Sequence, residues 1–145
     1  IWQRLGVTFG SDSNASTTFT ATTYKLDLPM ATPAGLDESF KILAGMMSGP
    51  QIPQKILDSE RPVVLAEQRE QPGPQVRLQD AMLDLKFAGQ PLSQREPIGT
   101  VETLTRATPE TVQAFHERWY RPERATIIAI GDVDPALLEQ MIVKH

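Results

Sequence analysis

Proline and glycine punctuate this chain so regularly that they settle where most secondary-structure elements must stop. Twelve prolines and nine glycines are spread over 145 residues, and most of them stand at the ends of segments with strand or helix character. Pro29 closes Ala15 to Leu28, a stretch dominated by Thr, Phe and Tyr. That composition predicts one long β-strand or a hairpin bent near its middle. Pro33-Ala34-Gly35-Leu36-Asp37-Glu38-Ser39 leads into Phe40, Ile42, Leu43, Met46 and Met47, one apolar helical stripe stopped by Gly49-Pro50. Pro72-Gly73-Pro74 and Gly89-Gln90-Pro91 bracket Val76, Leu78, Met82, Leu83, Leu85 and Phe87, a second amphipathic helix.

The same punctuation continues downstream. Val101 to Arg106 reads as one short helical turn. Thr108-Pro109-Glu110-Thr111 is a helix start with Thr as N-cap, Pro at the first position and an acid in the first turn. That helix runs through Val112, Phe115, Trp119 and Tyr120 until Arg121-Pro122-Glu123-Arg124 turns the chain. Ala125 to Ile130 is predicted to be a buried strand from its β-branched content. Gly131-Asp132-Val133-Asp134-Pro135 caps a last helix whose Leu137, Leu138, Met141 and Ile142 face inwards. At the other end, Ile1 to Gly6 reads as the last turn of a helix closed by glycine, followed by the short apolar segment Val7 to Phe9 and a loop at Gly10-Ser11-Asp12-Ser13-Asn14. The chain begins without Met, and we expect it to be a piece of a longer protein. The fold class expected is α+β, an antiparallel-rich sheet packed against helices, and the length suits one domain.

Composition removes several classes of function. The net charge is −4 with no basic stripe, so a nucleic-acid partner is not expected. There is no cysteine, which rules out disulfides, thiolate-bound zinc and thiol nucleophiles; any metal must use Asp, Glu or His. The longest apolar run, within Ala125 to Ile130, is far too short to span a bilayer, and no leader is visible at Ile1.

The stretch Ser59-Glu60-Arg61-Pro62-Val63-Val64-Leu65-Ala66-Glu67 carries the chemistry of interest. Seven residues are nearly two helical turns, so Glu60 and Glu67 fall within about 20° of each other and roughly 10 Å apart along a helix axis. With Val63, Val64 and Leu65 expected to turn towards a core, two carboxylates on one face suit a divalent metal. A solvated face is the competing reading, since Arg61, Gln68, Arg69 and Glu70 adjoin the pair. Pro62 is easiest to place in a first turn, so the helix is expected to start near Glu60 or to kink there.

In order and in residues, these pieces resemble the pitrilysin/insulinase family of zinc metallopeptidases, which includes the mitochondrial processing peptidases. Phe115-His116-Glu117-Arg118-Trp119-Tyr120-Arg121-Pro122, followed by an apolar strand and Gly131-Asp132-Val133-Asp134, is similar to a helix, turn, strand and Gly-Asp motif of that family. Gly10 to Thr17 looks like its Gly-x-x-x-Asn-Ala-x-Thr strand, and Thr22-Thr23-Tyr24 like the Thr-x-Tyr that follows. Glu60 through Glu67 is similar to its Glu-Arg-x-Val-x-x-x-Glu helix, and Pro97-Ile98-Gly99 to its Pro-Ile-Gly loop.

The resemblance implies a single incomplete domain, 1–145, from the catalytic half of a zinc-dependent endopeptidase. Glu67 matches the third zinc ligand, and Glu60 a carboxylate that holds a ligand histidine in the required tautomer. Asn14 and Ala15 match the edge strand on which a peptide substrate is added as a further strand. The other two ligands and the general base belong to a His-x-x-Glu-His helix that this sequence lacks; its histidines are only His116 and His145, expected to be a helix-surface residue and a chain end. The motif is expected upstream of Ile1, and the 145 residues alone are expected to be inactive and to hold no zinc tightly. The partners implied are a peptide or unfolded polypeptide and a homologous second half or subunit. Members of the family occur in several compartments, and we lean towards a bacterial periplasm or cell envelope. A non-catalytic scaffold subunit of the same fold, having lost the zinc motif, is the alternative.

Overall fold

The structure, a computed structural model, describes residues 6–8, 10–70 and 73–145. The expected helix turn before Gly6 and the residue Phe9 lie outside the described residues. The elements run in the order β1 (Ser13–Thr17), β2 (Thr22–Leu26), α1 (Pro33–Ser48), α2 (Gln54–Glu70), α3 (Pro74–Lys86), α4 (Val101–Arg106), α5 (Pro109–Trp119) and α6 (Pro135–Lys144). Single 3₁₀ turns stand at Pro91–Gln94 and Pro122–Arg124. The protein is mostly helical with one small antiparallel sheet of two strands. Of the two sequence readings for Ala15 to Leu28, the hairpin is the one adopted. Its turn is closed by the Thr18 amide donating to the Ala21 carbonyl at 2.8 Å, and the Thr18 hydroxyl accepts from the Ala21 amide.

Helix ends follow the local signals. The Thr32 hydroxyl accepts from the Gly35 amide at 3.1 Å, with Pro33 opening α1. Gly49, at φ +122°, closes that helix in a conformation a side chain would strain, and Pro50 prevents continuation. Thr100 and Thr103 form a reciprocal cap on α4, and Asp134 accepts from the Ala136 amide at the head of α6.

Two expectations are corrected. First, α2 begins at Gln54 and continues past Pro62 rather than starting near Glu60. The Pro53 carbonyl accepts the first amides, from Ile56 and Leu57, and Gln54 bonds Asp58 one turn on at 2.7 Å. Pro62 removes only the bond that would reach the Asp58 carbonyl. Second, Ala125–Ile130 is neither a paired strand nor buried: Ile128 is 78% and Ile130 92% exposed. Its backbone starts extended, at φ −90° and ψ 142° for Ala125, but no ladder neighbour lies beside it among the described residues. On α2 likewise, Val63 is exposed, and Val64 and Leu65 are only half-buried.

The chain divides into two compact units, one made of Ile1–Ser16, Thr22–Gln51 and Phe115–His145, the other of Thr17–Ala21 and Ile52–Ala114. In the first, Val7, Leu36 and Phe40 are buried together with the polar Ser13, Ser39 and His116. Ser39 satisfies its hydroxyl on the Gly35 carbonyl at 2.7 Å. In the second, no described residue is buried; α2 packs on α4, and α3 on the Pro91–Gln94 turn. Among the described residues no helix is long and apolar enough to cross a membrane.

Candidate functional site

The candidate site lies on α2. Because that helix is continuous from Gln54 to Glu70, Glu60 and Glu67 share a face, about 20° apart in projection and roughly 10 Å along the axis. Both are exposed. Neither has an ion-pair partner among the described residues, although Arg61 lies next in sequence to Glu60. Arg61 is occupied elsewhere. One of its terminal nitrogens donates to the carbonyls of Leu104 and Thr105, the latter at 2.9 Å, and the other to Ala107 at 2.8 Å, with Asp58 at 3.9 Å. Among the described residues, the two carboxylates are therefore left without a cation.

Free carboxylates suit zinc, which takes Glu oxygen alongside His nitrogen. A zinc site needs at least three protein ligands, however, and among the described residues no group of three His, Cys, Asp or Glu is gathered. The donor set on α2 fits a contribution to a zinc site and does not make one by itself.

Asn14 and Ala15 lie on β1, in the other unit, both exposed. Asn14 bridges its own turn: Nδ2 donates to the Gly10 carbonyl at 3.3 Å, and Oδ1 accepts from the Ala15 amide at 2.8 Å. Gly10 is at φ +96°, which lets the chain turn tightly enough to bring its carbonyl there. The Ala15 amide is thus already taken by its neighbour's side chain.

His116 corrects the expectation of a helix-surface residue. It is 8% exposed, its Nε2 donates to the Met46 carbonyl at 2.8 Å, and its ring stacks on Tyr120 with centroids 4.2 Å apart. His145 is the chain end expected, and its ring nitrogen meets Asp37, which also receives Lys144. The hydrogen bond from Lys144 first, and then the one with His145, hold the Asp37 carboxyl below its usual range. Sequence reasoning also missed the Tyr24–Tyr120 pair, whose hydroxyls lie 2.8 Å apart with rings edge to face. Partial burial, followed by the Tyr120 hydrogen bond, pushes the Tyr24 phenol well above its ordinary value. The four-residue spacing of His116 and Tyr120 was a readable signal for their stacking; Tyr24 offered none.

Comparison with known proteins shows what the chain as a whole is similar to. Residues 106–145 match the family described as "Peptidase M16 inactive domain". The chain is 31% identical over 143 residues to the probable zinc protease PqqL of Haemophilus influenzae, covering 99% of this chain and 15% of that protein. It is 30% identical over 133 residues to the probable zinc protease PqqL of Escherichia coli, covering 92% and 14%. The crystal structure of the first half of the periplasmic protease PqqL from Escherichia coli superimposes with a TM-score of 0.90 at 29% identity, over 99% of this chain and 31% of that one. The chain thus spans about one seventh of the length of these curated relatives. Its motifs, its fold and these likenesses agree that the chain resembles a segment of the pitrilysin/insulinase-type (M16) zinc proteases.

Proposed function

We propose that these 145 residues are one incomplete domain of a zinc metalloendopeptidase's catalytic half, and that Glu67 is the carboxylate this segment contributes to the metal. The observation that carries the reading is the pair of exposed glutamates two turns apart on α2, with no ion-pair partner among the described residues. Glu67 would bind the ion, and Glu60 would accept from a ligand histidine and fix its tautomer. Bound there, zinc supplies Lewis-acid activation of a water molecule for attack on a peptide carbonyl. Asn14 and Ala15 would receive the substrate backbone along β1. Two histidines and a general base must come from outside these residues, as would a homologous second half or subunit to enclose the substrate. In this reading the substrate is a peptide or unfolded polypeptide.

Glu67→Gln in the full-length protein keeps the shape of α2 and removes the charged ligand. Zinc affinity is expected to fall by more than about 100-fold, with peptidase activity lost. Unchanged zinc content would overturn the assignment. A second reading is favoured by the match of residues 106–145 to a domain described as inactive. In it the whole protein is a non-catalytic scaffold subunit that binds no zinc even with Glu67 intact.

A further inference from the structure

We propose that Arg61 is a positioning residue for the metal site: by gripping the end of α4 it fixes the rotation of α2, and so the direction in which Glu60 and Glu67 face. The inference rests on the reading of Glu67 as a zinc ligand.

Three carbonyls at the end of α4 lack the helical donors they would otherwise have. In a continuing helix, those of Leu104, Thr105 and Ala107 would accept from the amides of residues 108, 109 and 111. Here the Thr108 amide is taken by the Thr111 hydroxyl at 2.9 Å and the Thr111 amide by the Thr108 hydroxyl at 3.3 Å, while Pro109 has no amide hydrogen. The cap that starts α5 thus strips the end of α4 of its donors, and the Arg61 guanidinium answers all three carbonyls. The charge suits the negative end of a helix dipole. A planar fork bonded at three points also resists rotation in a way a single bond does not.

The position of the grip gives it a consequence for the carboxylates. Arg61 lies about 100° around α2 from Glu60 and about 120° from Glu67, so fixing its azimuth aims the carboxylate face. Pro62 follows directly and deletes a helix bond at the same place, leaving α2 most deformable there. Apolar packing does not substitute for the grip, since no described residue of this unit is buried, whereas the Arg61 side chain is only 18% exposed.

The test uses full-length Arg61→Met, Arg61→Lys and, as reference, Glu67→Gln. The readouts are the zinc dissociation constant by chelator competition, the visible spectrum of the cobalt(II)-substituted protein, and thermal unfolding. Arg61→Met is expected to weaken zinc binding about 10- to 100-fold and to shift the cobalt bands. Arg61→Lys is expected to recover only part of the loss, because an ammonium cannot span the three acceptors. If Arg61→Met does not fold, Arg61→Lys decides alone. Wild-type zinc affinity and cobalt spectrum in the folded Arg61 variants, alongside zinc loss in Glu67→Gln, would overturn the inference while leaving the ligand assignment standing. Zinc retained by Glu67→Gln overturns both.

Discussion

His116→Phe tests whether a polar group hidden between helices holds α1 to α5. Met46 lies in the last turn of α1, and its carbonyl would look for an amide four residues on; residue 50 is proline and has none. The His116 Nε2–H supplies the missing donor at 2.8 Å from a side chain that is 8% exposed. Phenylalanine keeps an aromatic ring against Tyr120, now at a centroid distance of 4.2 Å, and removes only the donor. The loss is that of one hydrogen bond plus an unpaired, part-buried carbonyl, about 1–3 kcal/mol. Hydrogen exchange read at the Tyr120 amide, which bonds the His116 carbonyl, and at the last amides of α1 should then quicken by roughly 5- to 150-fold. His116→Ala, which also forfeits the ring contact, should cost about 2–4 kcal/mol in all. His116→Gln, which retains a donor, should lie between wild type and His116→Phe. Protection in His116→Phe within twofold of wild type would refute the reasoning, because the carbonyl would then have been adequately served by water.

Two further outcomes are expected. An unfolded tyrosine ionises near pH 10 while folded Tyr24 holds its proton to higher pH, so the unfolded state loses its proton first; stability is level below about pH 10 and falls above it. Tyr24→Phe should flatten that alkaline limb, and identical losses in both proteins on going from about pH 9 to 11 would contradict the assignment. The exposed isoleucines of 125–130 should make the 145-residue chain self-associate, and Ile128→Lys or Ile130→Lys should lower its light scattering; a monomeric parent chain would be the contrary result.

The helix ends were legible because their signals are local. Thr108-Pro109 and Asp134-Pro135 each place a cap beside a residue that cannot donate, and each opens a helix where expected. The start of α2 was not legible because Pro62 suggests a first turn, whereas the helix begins earlier, where the Pro53 carbonyl takes the amides of Ile56 and Leu57. The seven-residue spacing of Glu60 and Glu67 gives a shared face by helix geometry alone once the helix is continuous. What completes such a face depends on residues far away in the chain, and no local pattern specifies those.

The errors in burial run in opposite directions for apolar and polar residues, and the physics of the two interactions explains why. Hydrophobic burial has no direction, so β-branched residues at 125–130 announce a need for cover without saying which surface provides it; among the described residues none does. Hydrogen bonding is directional and is satisfied pair by pair. Arg61 and His116 look like surface residues in sequence, yet each draws its side chain inward to carbonyls 43 to 46 and 70 residues away that helix ends and prolines had left without donors. The prolines that were easiest to read as breaks therefore did a second thing: Pro50 and Pro109 each removed an amide, and the orphaned carbonyl recruited a distant cation or imidazole. With few apolar residues buried among those described, those recruitments join the helices, and the one at Arg61 sets how α2 presents Glu60 and Glu67.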